Sequence, residues 1–183
     1  MKKTGMTEKQ LRNQLSTRID NRCLKALDEK ASCSEQMRQQ LFMLISDHDT
    51  RVASNALWIW SHAANREYEW LRPRLGLLSQ TAIGNSHESV RRLALSCILT
   101  VGMRCGRECL EEECGTELLD FCLEHITMKG ELPGTKSLCL KIAHAISRPY
   151  PELMREFNLT IELLKEQPMT PAIRSAIKNI GKY

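Results

Sequence analysis

The sequence predicts an all-α chain assembled from helical hairpins. Three observations predict it. Apolar residues recur at spacings of three and four along almost the whole length, the period of a half-buried helix. The nine glycines and six prolines cluster between these stripes rather than inside them, as short connections between helices require. Runs of β-branched residues alternating with polar ones are hard to find. At 183 residues the chain is long enough for a real core. Phe, Trp and Tyr number three each, so core volume falls to Leu, Ile, Ala, Met and Cys.

Taken in order, residues 7–31 read as an N-terminal capping hairpin. The next helix closes on Leu41, Leu44 and Ile45, and Val52, Ala56, Leu57 and Ile59 open the stripe of its successor. Asn85 followed by Glu88 has the spacing of a capping box, in which two free amide donors are satisfied reciprocally. Val90, Ala94, Leu95 and Ile98 form another stripe, and Leu110, Cys114, Leu118, Phe121, Cys122 and Ile126 the next. Leu138, Ile142, Ala145 and Ile146 follow, then Leu153, Phe157, Ile161 and Leu164 after Pro151. Thr170-Pro171, an N-cap with proline at the first helical position, starts the stripe of Ile173, Ala176, Ile177 and Ile180.

Alternate helices repeat. Val52, Val90, Thr135 and Ala172 lie 38, 45 and 37 residues apart. Four residues after each stands a small side chain, Ala56, Ala94, Cys139 and Ala176, which lets a paired helix approach closely. The next position is large and aliphatic: Leu57, Leu95, Leu140 and Ile177. A period near forty, with two helices per unit, resembles that of HEAT/armadillo-like α-solenoids, over residues ~34–183. The resemblance implies a right-handed α-α superhelix of about four to five hairpins forming one domain over 1–183. The segment "RPYPELMREFNLTIELL", after "KSLCLKIAHAIS", is similar to the last repeats of short HEAT-like bacterial proteins. Some of those carry an adenylosuccinate lyase label. True lyases have a Ser- and Gly-rich catalytic loop with Met, Pro, Lys and Asn, which does not occur here, so lyase chemistry is not expected.

The net charge is only +4, but it is unevenly spread. Residues 1–30 and 136–183 each hold eight Lys/Arg against four Asp/Glu. Residues 107–125 hold Arg107 and seven acids. Solvated helix faces account for such blocks, and they also steer partners. The first residues carry no apolar run behind Lys2 and Lys3, and no window approaches the ~18 apolar residues of a membrane span. A cytoplasmic protein with reduced cysteines and no membrane association is therefore expected.

Few residues suggest chemistry. Asp47-His48-Asp49 sets an imidazole between two carboxylates, and His48-Asp49 resembles the centre of metal-dependent HD phosphohydrolases. Those enzymes need a further His upstream, and His48 is the first histidine in the chain. The repeat register puts the three residues in an inter-helix turn, where acids cap the following helix. Cys105, Cys109, Cys114, Cys122 and His125 are close in sequence, but no CxxC pair occurs and two of these cysteines sit in an apolar stripe, so core thiols are expected rather than zinc. Trp58, Trp60 and Trp70 lie beside Arg66, Arg72 and Arg74. HEAT-like DNA alkylation-repair glycosylases hold DNA on a basic concave surface with aromatic walls and a catalytic Asp. By that resemblance Asp47 or Asp49 would be the acid and Trp60 or Trp70 the wall, with Arg174 and Lys178 extending a basic strip. His62, His87 and His144 are isolated. No phosphate loop, nucleophile elbow or HExxH occurs.

The sequence thus points to a non-catalytic binding or scaffolding module, with no catalytic residues, no cofactor and no metal. Its concave surface would receive a protein or peptide partner through Arg51, Asn55, Arg91, Arg92, Lys136 and Lys141. A monomer or weak homodimer is expected. Nucleic-acid binding, or glycosylase activity, is the competing reading.

Overall fold

Thr7 starts the chain's first helix with a reciprocal cap: its hydroxyl accepts from the Gln10 amide at 3.3 Å, and the Gln10 side chain accepts from the Thr7 amide at 2.9 Å. Side-chain caps start several of the elements in the computed structural model, which describes residues 6–106 and 108–180. After α1 (Glu8–Leu15), Asp20 caps α2 (Asn21–Ser32) and Ser34 caps α3 (Glu35–Met43). A 3-10 turn at Leu44–Ser46 leads to α4 (Thr50–Ala63). The short α5 (Tyr68–Leu71) and a second 3-10 turn precede α6 (Leu75–Gly84) and α7 (Glu88–Cys105). Then come α8 (Glu108–Thr127), α9 (Pro133–Ser147), α10 (Pro151–Lys165) and α11 (Pro171–Asn179). The last three place proline in their first turn, where its missing amide costs no helical hydrogen bond. No strand occurs among the described residues, and no helix there is long and apolar enough to cross a membrane.

The helices stack in two layers. α2, α4, α7, α9 and α11 pack successively as the second helices of five hairpins. α6, α8 and α10 pack successively as first helices, and α1 rests on α4. The result is an all-α helical-repeat solenoid. One apolar cluster runs through it from Leu11 to Ala176. Ala56, Ala94 and Cys139 are fully buried and Ala176 nearly so, which fits their role as points of close helix approach. Side-chain bonds follow the same period. Asn55 donates to the Leu15 and Thr17 carbonyls, Arg66 pairs with Asp28, Tyr150 donates to Glu111 and Gln167 donates to the Thr127 carbonyl, each joining residues 38 to 40 apart.

Several sequence expectations need correction. Asn85 is not an N-cap: its side chain accepts from the His87 amide at 2.8 Å, closing a turn one step early, and His87 takes the cap position without a side-chain bond. Glu88 pairs instead with Arg92 at 3.3 Å, one helical turn on. Ala172 is exposed, unlike Val52, Val90 and Thr135, because nothing in the described chain packs on that side of α11. The stripe from Leu110 to Ile126 is not one continuous helix. Gly115 breaks α8 with φ 65° and ψ −169°, a backbone state suited to glycine.

The last two first-layer helices can be superposed at an offset of 39, the spacing of the Glu111–Tyr150 bond. Buried Leu118, Phe121, Cys122 and His125 of α8 then coincide with buried Phe157, Thr160, Ile161 and Leu164 of α10. Leu119 and Leu123, 2% and 9% exposed, coincide with exposed Asn158 and Glu162. The flank of α8 that packs on its neighbour is apolar, and the same flank of α10 is polar.

Candidate functional site

The Asp47-His48-Asp49 turn is a joint. Asp47 accepts twice from the Arg12 guanidinium, at 2.7 and 3.0 Å, and once from the Asp49 amide at 2.8 Å. The bond from Arg12 holds its carboxyl below the usual aspartate range, aided by the Asp49 amide and opposed by burial. Asp49 caps α4 by accepting from the Arg51 amide at 2.9 Å. Both carboxylates are thus engaged in fold-building bonds, as a turn entering a helix requires, and His48 projects into solvent.

The cysteines and His125 do not converge. Among the described residues no three His, Cys, Asp or Glu side chains gather to hold a metal ion. Burial pushes the thiols of Cys97 and Cys114 up to about 12 and that of Cys109 to about 11, and raises Cys122, which bonds with Cys139. Thiols so disposed are poor nucleophiles. His125 turns to Glu131, with Nδ1 2.6 Å from a carboxylate oxygen that also receives Arg91 at 2.7 Å. Burial alone would raise the Glu131 carboxyl. The bonds from His125 and the Leu132 amide, with the charge of Arg91, outweigh it and hold the carboxyl below its ordinary value. An ionised carboxylate can only accept, so Nδ1 of His125 carries the proton.

Trp60 and Trp70 pack rather than line a wall. Trp60 is buried and stacks on Trp70 at 4.9 Å, with Phe42 edge-on to both. Arg74 covers Trp70 at 3.6 Å, and the indole of Trp70 donates to Glu35 at 3.0 Å. Arg66 pairs with Asp28, and Arg72 lies 3.4 Å from Glu112. The acid and aromatic wall that the glycosylase resemblance implies are therefore spent within the fold.

The six residues expected to form a binding surface are distributed differently from one another. Arg51 is exposed at the start of α4. Asn55 is committed to the carbonyls after α1, and Arg91 to Glu131. Lys136 is only 6% exposed, and burial lowers its ammonium below the usual lysine range. Arg92 keeps an exposed end, its stem passing so near α9 that a Cβ on Gly134 would sit 3.3 Å from it. Lys141 is half-buried on α9.

What the structure adds is a ladder. Two positions before each small repeat residue stand Ser54, Arg92, Ser137 and Arg174. Two positions after stand Trp58, Ser96, Lys141 and Lys178. Arg174 and Lys178 are exposed and the other six half-buried, the Ser54 hydroxyl itself being enclosed. At 100° per residue both positions lie about 160° from the buried residue, so both rows face outward from the second-helix layer. The repeat alignment contained this signal, since the outward face is fixed once the inward residue is known. Arg91 and Lys136, each one position before this row, are instead paired with Glu131 and buried, respectively. Across the molecule, α8 displays acids and, among its described residues, no Lys or Arg; Arg107 lies outside the described residues.

A sequence model of the HEAT repeat domain matches residues 11–183. No curated protein and no solved structure matches the chain.

Proposed function

The chain belongs to the HEAT repeat domain family, and from that premise we propose that it is a non-catalytic scaffold whose second-helix layer receives a protein or peptide partner. The observation that carries this reading is the pair of outward rows, Arg92–Ser137–Arg174 and Ser96–Lys141–Lys178, running across three consecutive repeats. Stacked hairpins present such rows as one extended surface. Short serines between longer basic side chains leave room for a backbone to lie against the helices. A cytoplasmic setting belongs to the same reading, supported by eight cysteines that stand as free thiols.

Position-specific photocrosslinking tests it. A photoreactive residue at Ser137, on the second-helix layer, is expected to capture a protein from extract of the source organism. The same residue at Asp120, exposed on α8, is expected to leave that protein uncaptured. Capture from Asp120 and not from Ser137 would transfer the binding role to the opposite layer.

A further inference from the structure

We propose that the segment received by the second-helix layer is an acidic polypeptide in extended conformation, lying across α7, α9 and α11. This rests on the surface reading above and adds the chemistry of the occupant.

The last two hairpins sort charge by layer. α9 and α11 contain Lys136, Lys141, Arg174 and Lys178 and no acid. Their hairpin partners α8 and α10 hold ten acids, against Arg155 and Lys165 as their described bases. Solvated faces usually intermix the two signs, because pairs three or four apart on a helix attract each other. Arg92 has such a partner in Glu88. Lys178 has no acid on its own helix, and Arg174 donates to the neutral Met169 carbonyl rather than to an acid among the described residues. Like charges about 10 Å apart in water repel by roughly 0.4 kcal/mol per pair, a small cost that an anionic ligand converts into attraction.

The spacing selects an extended chain. Packed helices lie 8–10 Å apart, so the span from α7 to α11 is about 20 Å. A β-like chain advances about 3.3 Å per residue, so roughly six residues cross the span and a carboxylate every third residue meets one helix each. Ser96 and Ser137, between the bases, are short enough for backbone approach and carry hydroxyls that can donate. The acids of α8 and α10 repel the same partner from the other layer, which gives the interaction a direction. The dispersed cations Arg92, Lys141, Arg174 and Lys178 beside an acidic layer suit spaced carboxylates better than the dense charge of a nucleic-acid strand.

Fluorescence anisotropy on the full chain tests this with three labelled probes: a Glu-Gly-Gly repeat peptide of about nine residues, its Gln-Gly-Gly counterpart, and a single-stranded oligonucleotide of the same length. The Glu peptide is expected to bind at low salt about tenfold more tightly than the Gln peptide, and to weaken as salt rises. The triple variant K141Q/R174Q/K178Q should lose about tenfold in affinity, while D120N/E124Q on the opposite layer should retain full affinity. Absence of Glu-peptide binding at low salt overturns the inference, and so does tighter binding of the oligonucleotide. If both peptides bind equally and Ser137→Trp abolishes both, the surface stands and the acidic chemistry falls. If they bind equally and Ser137→Trp changes neither, the surface reading falls as well.

Discussion

The joint between the first two hairpins adds ion pairs to a buried apolar core, whereas that between the last two is an apolar seam without them among the described residues. At the first, Arg12 grips Asp47 and Arg66 grips Asp28, with Asn55 bonded to the carbonyls after α1. At the last, Phe157, Ile161 and Leu164 of α10 and Ile173 and Ala176 of α11 are buried, and Tyr150 and Gln167 supply the bonds back to α8 and its C-terminal end. The same apolar repeat geometry is therefore supplemented by different polar ties, and the two ends should respond differently to pH and salt. Nearest-neighbour stability in a solenoid makes that separable.

The largest effect expected is on the apolar joint. Phe157→Ala should cost about 3–5 kcal/mol, the usual range for a buried aromatic. Amide exchange should quicken in α10 and α11 while α4 and α7 keep their protection. Equal loss of protection in α4 would show that the joints do not act separately.

Next comes the charged joint. Asp47→Asn should cost about 1–3 kcal/mol in chemical denaturation near neutral pH, since the Arg12 guanidinium loses its anionic partner. The pH dependence has a definite sign. Asp47 ionises at lower pH in the folded chain than its reference value of 3.8, so its contribution is complete above that value and disappears as pH falls through the depressed one. The variant should show a shallower acid limb than the parent, with α1 regaining protection from neither salt nor acid. An unchanged acid limb would remove Asp47 as the titrating tie.

The smallest effect concerns the outer side of α10, where Leu159 and Leu163 are 62% and 55% exposed. Replacing both with Gln should shift stability by no more than about 0.5 kcal/mol in urea unfolding, because little apolar area is removed from water at either position. A loss of 2 kcal/mol or more would mean that these leucines belong to the seam.

The hairpin order and the buried small residues were legible because they repeat. Ala56, Ala94, Cys139 and Ala176 carry the period directly, and Asp49 and Thr170 behave as caps because capping is settled within three residues. Arg12–Asp47 and Arg91–Glu131 were not legible, since nothing local links residues 35 and 40 positions apart. Those pairings decide which basic residues are consumed inside the fold. A reading from spacing alone therefore grouped exposed Arg51 and half-buried Arg92 and Lys141 with Asn55, Arg91 and Lys136, which are bonded or buried within the fold. Asn85 illustrates a smaller failure. Its side chain had two nearby amide turns available, and the earlier one won.

The polar flank of α10 bears on what these molecules do to one another at high concentration. A repeat stack is an open ladder, so the surface that receives one hairpin can in principle receive a hairpin of another molecule, and such contacts do not close into a ring but continue into fibres. Leucines at Asn158 and Glu162, matching Leu119 and Leu123 one unit earlier, would offer that continuation an oily landing. An amide and a carboxylate keep the landing wet. N158L/E162L is therefore expected to raise concentration-dependent light scattering relative to the parent chain.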